Sequence, residues 1–333
     1  MQGGGLALLV RPNAQAGREA DLTLGDELVR DLPAAIDRAW GGVHLLASPV
    51  PFHNGQVLLT REAAWVSLHT LEPRILESLG LERVPVASFA TAAGIDRYLQ
   101  AATAATAELA ALYGRPVRFV HPLPDAGDVA DRTALLRRIG GGAGYDLDSL
   151  LTLLPATSGE GGGKPQALVA DLAAGRDFLA RAAAEDLAAL QHGYDLEPTG
   201  SALSGALAAA EGEPRARALG EFLDLVAARL AQGGFTVRRL PLLVVPTALL
   251  RDRAGLTHDE FLITACNVVP EVRVGKPRAE GFASLMPAFD RRARDTFAAA
   301  GCRLDLLPPL VHSVVLNGGY RCASNHLRER HGS

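Results

Sequence analysis

An α/β fold assembled from recurring modules is the architecture this 333-residue sequence predicts. Three observations carry the expectation. Apolar residues make up 48% of the chain, enough for a packed core. Segments with helical apolar spacing alternate with short β-like runs. One punctuation also returns along the chain: amphipathic helix, Gly, short strand, Pro.

The pattern is fullest at 214–242. Leu219, Phe222, Leu223, Val226 and Leu230 fall at i, i+3, i+4, i+7 and i+11, on one helical face. Gly233-Gly234 supplies a helix end, because glycine takes positive φ without a Cβ clash. Phe235–Leu240 alternates as a half-buried strand, which Pro241 is expected to end. A helix near 26–39 leads through Gly41-Gly42 to the strand Val43–Ala47 and Pro49. One near 72–79 leads through Gly80 to Leu81–Val84 and Pro85, and one near 98–113 through Gly114 to Val117–Val120 and Pro122. Another at 287–300 leads through Gly301 to Arg303–Leu307 and Pro308-Pro309. A sixth, weaker recurrence runs from Asp186–Gln191 through Gly193 to Pro198. Such recurrence reads either as a repeat architecture or as the ordinary punctuation of an α/β protein. Further strands are expected at Val57–Leu59 and Ala64–Leu68, turning at Arg61-Glu62, and at Ala167–Leu172, Phe261–Val269 and Val311–Leu316. The Ala-rich stretch 201–212 fits a helix or a surface loop. No composition shift marks a boundary, so 1–333 is read as one domain.

Composition excludes several functions. With 33 Lys+Arg against 37 Asp+Glu the net charge is −4, which argues against a nucleic-acid partner, since that needs a basic field. The longest nearly apolar run, Leu240–Leu250, is broken by Pro241 and Pro246 and falls short of the ~20 residues a membrane span needs. No signal peptide is visible, and three cysteines do not make a disulfide framework, so a reducing cytoplasm is expected. No CxxC or HExxH spacing suggests a metal. Ser158–Pro165 fails as a phosphate loop, with Ser158 where Gly is needed and Pro165 where Ser or Thr is needed. Gly140–Gly144 is followed by acidic residues that would repel a phosphate.

Two segments carry chemistry. In Gly144-Tyr-Asp146-Leu-Asp148-Ser149 an extended backbone would turn both carboxylates to one face, suiting a metal or a guanidinium. The same residues also suit a helix N-cap. In Leu316-Asn317-Gly-Gly-Tyr-Arg321-Cys322 an apolar strand is expected to run into a tight turn carrying a cysteine. Arg321 beside Cys322 favours thiolate over thiol. Cys266 and Cys302, in an apolar strand and at a helix–strand junction, fit buried inert thiols. His53, His121, His312 and His326 stand at predicted strand ends or loops.

These residues resemble those of the penteins, the guanidine-modifying superfamily of deiminases, dimethylarginine hydrolases and amidinotransferases. The last ~75 residues carry the likeness: Asn267 embedded in Phe261–Val269, the helix Pro287–Gly301, and Asn317–Cys322 as the nucleophile loop. The family's earlier acidic Gly-Gly loop is nearest to Phe52-His53-Asn54-Gly55-Gln56. Its Gly-His-x-Asp motif is nearest to Tyr145–Asp148, with the Asp on Asp148 and Asp146 replacing the His. The resemblance implies a pseudo-fivefold α/β propeller of ββαβ-type modules, against six recurrences counted here. It implies a C–N hydrolase or an amidinotransferase with Cys322 as nucleophile. Asp148, Asn317, Arg321 and Asn54 would bind substrate. Asp146, its pKa raised by burial, or a His from elsewhere would act as base. The expected partner is a small guanidine or amidine compound. No metal or organic cofactor is implied, and a homodimer stays open. The alternative is a pentein-like binding protein that has lost catalysis with its His, and a further one is an unrelated α/β protein.

Overall fold

The computed structural model describes residues 7–11, 30, 43–48, 50, 54–82, 89–154, 156, 163–253, 256, 258–273 and 276–315. Strands β1 (Ala7–Arg11) and β2 (Val43–Ala47) pair in parallel. Next, β3 (Leu58–Leu59) and β4 (Ala64–Val66) form an antiparallel hairpin. Thr60 closes it, its N–H donating to Ala63 O at 2.9 Å and its Oγ1 accepting from Ala63 N–H at 3.1 Å. Helices α1 (Leu68–Leu79) and α2 (Ala92–Tyr113) cross over to β5 (Val117–Phe119), which lies parallel to β4. Both helices end on left-handed glycines, Gly80 (φ 67°) and Gly114 (φ 61°), where a side chain would strain the turn.

Helices α3 (Val129–Gly140) and α4 (Leu147–Leu150) precede a second antiparallel pair, β6 (Leu151–Leu154) and β7 (Gln166–Asp171). Four helices then intervene: α5 (Leu172–Leu179), α6 (Ala184–Tyr194), α7 (Gly200–Glu211) and α8 (Pro214–Gln232). Strand β8 (Thr236–Pro246) returns parallel to β7, and β9 (Glu260–Thr264) pairs antiparallel with its second half. A third unit follows: β10 (Val269–Arg273) antiparallel to β11 (Lys276–Phe282), then α9 (Pro287–Ala299), then β12 (Arg303–Leu307) parallel to β11. Helix α10 (Val311–Val315) ends the described chain. The fold is mixed α/β. Three of its sheets share one order of connection: hairpin, helical crossover, parallel return.

Helix α8 lies at the centre. Its predicted face, Leu219, Phe222, Leu223, Val226 and Leu230, is fully buried in the main core with β6, β7 and β8. Each such side chain contributes roughly 1.5–3 kcal/mol by leaving water. A second cluster packs α5, α6 and α7 against β8 and β9, and a third packs α1 and α2 under β4.

Several expectations are corrected. Pro241 does not end its strand. It sits where β8 passes from β7 to β9, the β7 ladder closing at Pro241 and the β9 ladder opening at Leu242. A missing N–H is tolerated at such a handover. Phe261–Val269 is two strands, broken at 265–268, where Cys266 N–H turns back to Thr264 Oγ1 at 3.0 Å. The sixth recurrence is no module, since after α6 only an isolated bridge, Leu196 to Leu250, forms. Its helix belongs to the four-helix crossover. The 201–212 stretch is helix α7. Leu81 and Glu82 are not strand, and the rest of Leu81–Val84 lies outside the described residues, as do most of 26–39 and residues 157–162. Val311–Val315 is helical, not extended. Behind Pro308-Pro309 this segment packs Val311, Val314 and Val315 on the second core, and a helical turn presents all three there.

Candidate functional site

The site is built where three distant segments meet. The first is the 3-10 turn Asn54–Gln56. The second is Tyr145–Ser149, in which Asp146 is the N-cap of α4. The third is the break at Cys266-Asn267 between β9 and β10.

Each segment is placed by packing. The glycines before Tyr145 serve close approach to α8, for a Cβ on Gly141 would lie 2.0 Å from Ala218 O. Gly55 presses on Asp146 in the same way, since a Cβ there would meet the Asp146 side chain at 2.7 Å. Thr70 Oγ1 of α1 donates to Gln56 O at 3.3 Å and fixes the turn. Thr152 Oγ1 donates to Cys266 O at 2.5 Å and fixes the break.

Asp146 and Asp148 do not share an extended face. They open a helix, where residues two apart diverge. Asp146 turns to Gly55 and remains half-buried. Asp148, 2% exposed, receives Asn267 Nδ2–H at 3.0 Å on Oδ1. The same amide nitrogen lies 3.3 Å from Ser149 Oγ. A charge-assisted bond of this kind holds a carboxylate in one orientation where water is scarce.

A clamp stands beside it. The Tyr145 hydroxyl donates to Glu260 Oε1 at the start of β9. Arg215, in the first turn of α8, reaches the same oxygen with Nε at 3.0 Å. Its guanidinium lies over the Tyr145 ring, 5.3 Å from the centroid. Burial and the Glu260 bond push the Tyr145 phenol well above its ordinary pKa. Sequence reasoning missed Glu260 and Arg215 because neither stands in a motif and they meet only through the fold.

Two of the described histidines, His121 and His69, are engaged with other partners. His121 donates Nδ1–H to Pro122 O at 2.9 Å and accepts Leu68 N–H on Nε2 at 3.1 Å, which assigns its neutral tautomer. Ser67 Oγ lies 2.8 Å from His69 Nδ1. Both rings pack at steep angles against Phe222, at 5.9 and 6.1 Å between centroids. Burial lowers the pKa of His121 to about 4, and burial with the neighbouring His121 lowers His69 to about 3. Cys266 and Cys302 are buried free thiols, pushed up to about 12 by burial.

Asn317, Arg321 and Cys322 lie outside the described residues, as do His53 and His326. Asn54 opens the turn beside Asp146. The cysteine loop, expected to leave a strand, is preceded instead by helix α10. Among the described residues, no group of three or more His, Cys, Asp or Glu is placed to hold a metal, and no helix is long and apolar enough to cross a membrane. No family model and no curated protein matches the sequence.

Proposed function

We propose that the chain is a divergent guanidino- or amidino-group-modifying enzyme of pentein type, acting through a covalent intermediate on Cys322. The observation that carries the reading is the meeting of Asp148 with Asn267 at 3.0 Å, beside Asp146 against Gly55. The three motifs that carry the resemblance before the cysteine loop thus come to one place. The three hairpin–crossover–return units support a propeller of ββαβ modules.

In this reading Asp148 grips the planar cation with its carboxylate. Cys322 thiolate attacks the amidino carbon and forms an S–C bond, and the C–N bond breaks as ammonia or an amine departs with a proton supplied by the Asp146 carboxyl. Water or an incoming amine then attacks that carbon, the S–C bond breaks, and the thiolate returns. Asp146, half-buried beside Asp148, takes the proton from the second nucleophile. Asn54, Asn317 and Arg321 contact substrate. The partner is a small guanidine or amidine, and the expected location is the cytoplasm.

One observation favours a second reading, a binding protein without turnover. Asp146 stands where a His would act, and both ring nitrogens of His121 are engaged.

Labelling tests both. Chloroacetamidine should alkylate Cys322 at least about tenfold faster than the buried Cys266 and Cys302, and Asp148→Asn should remove the preference over iodoacetamide. Equal slow labelling of all three thiols overturns the enzymatic proposal. Preferential labelling without ammonia release from any guanidino compound selects the binding protein.

A further inference from the structure

Helix α10 has five residues, too few to hold itself by its own ladder. The last carbonyls of a helix lack intrahelical partners, and a basic side chain can take them. In α10 the final one is taken by another element: His258 Nε2–H donates to Val315 O at 2.6 Å. A carbonyl only accepts, so Nε2 carries the proton in this contact. The backbone that presents the half-buried His258 ring is itself pinned. His258 O accepts Thr247 Oγ1–H at 2.9 Å, and Asp259 O accepts the N–H of the same buried threonine at 2.8 Å. Two residues on, Glu260 opens β9 opposite Pro246 and takes the Tyr145 hydroxyl. One short stretch, 258–260, therefore joins two places. It holds Tyr145, the neighbour of Asp146, and it holds Val315, from which the chain runs on to Asn317–Cys322.

We propose that His258 is the tether that fixes the end of α10 against the start of β9, and so sets where the segment carrying Asn317, Arg321 and Cys322 begins. In the proposed enzyme this makes His258 a positioning residue. It touches no reacting atom and acts through Val315, keeping the nucleophile's segment in register with Asp146 and Asp148. Only that second part rests on the proposed function. The two parts have different signatures. Losing one hydrogen bond loosens the local fold about fivefold, whereas a displacement of about 1 Å at a reacting centre costs on the order of a hundredfold.

Two measurements on His258→Ala and His258→Gln test this, the Gln amide nitrogen standing where Nε2 donates. Amide hydrogen exchange over 311–315 should speed about fivefold in His258→Ala and stay near the parent rate in His258→Gln. The ratio of chloroacetamidine to iodoacetamide labelling at Cys322 should fall at least about tenfold in His258→Ala and recover in His258→Gln, while the buried Cys266 and Cys302 keep their slow rates. His258→Phe keeps the bulk of the ring without its donor and carries the same expectations if the alanine variant does not fold. Unchanged exchange in the variants without a donor, or a glutamine variant no better than alanine, overturns the tether. Faster exchange with an unchanged labelling ratio overturns the positioning role. So does acceleration of all three thiols together, which marks a general opening of the fold. A parent protein with no amidine preference at Cys322 sinks the enzyme, and hydrogen exchange then decides the tether by itself.

Discussion

Acidification of this protein sets two buried histidines against a buried carboxyl, and their balance can be worked out. His121 and His69 are neutral in the fold, with pKa values lowered by burial from 6.5 to about 4 and about 3. The unfolded chain therefore binds protons first as pH falls below 6.5, so stability is full above that value and drains as pH falls toward 4. Between about pH 7.5 and about pH 5 each ring costs roughly 2 kcal/mol, or roughly 4 kcal/mol together. Glu211 opposes them. Its carboxyl is buried, with Arg176 Nε 3.6 Å away, and burial raises its pKa from 4.5 to about 8. The folded state holds that proton more tightly, so stability falls as pH rises from 4.5 through 8 and is regained on acidification. Over the same interval it returns roughly 3 kcal/mol. Glu72 and Asp290, also raised by burial, act on the same side. The parent protein should therefore change little. Glu211→Gln should unmask the histidines and lose up to roughly 4 kcal/mol between the two pH values in urea denaturation at fixed salt, the remaining raised carboxyls of Glu72 and Asp290 offsetting part of it. The reasoning is refuted if Glu211→Gln shows no such loss, or if the loss persists after both histidines are replaced by Gln.

Asn267→Ala should cost roughly 1.5–3 kcal/mol in the same denaturation assay, because it strips a donor from the buried Asp148 carboxylate, and should slow amidine labelling of Cys322 as the carboxylate loses its orientation. Unchanged stability and unchanged labelling would show that this contact does not hold the site. Gly141→Ala should leave little folded protein by circular dichroism, since its methyl would lie 2.0 Å from the Ala218 carbonyl, whereas Gly140→Ala, with nothing within 4 Å, should fold normally. Leu223→Ala should lower stability by about 3 kcal/mol or more, as it opens a cavity under α8.

What the sequence by itself determined is local. The i, i+3, i+4 spacing of Leu219 to Leu230 marks the buried face of α8. Gly80 and Gly114 end their helices because only positive φ closes those turns cheaply. Arg303–Leu307 and Val43–Ala47 are strands with the predicted bounds. Each of these depends on neighbours within a few residues. The tertiary structure decided the rest. Val311–Val315 has the composition of a strand and is a helix, because a core surface receives one face of it. Pro241 lies inside β8 because the strand changes partners there, a fact belonging to β7 and β9. Asp148 and Asn267, 119 positions apart, become one hydrogen bond, and Arg215 finds Tyr145 and Glu260. Contacts of that separation depend on how whole sheets and helices pack, and no local spacing encodes them.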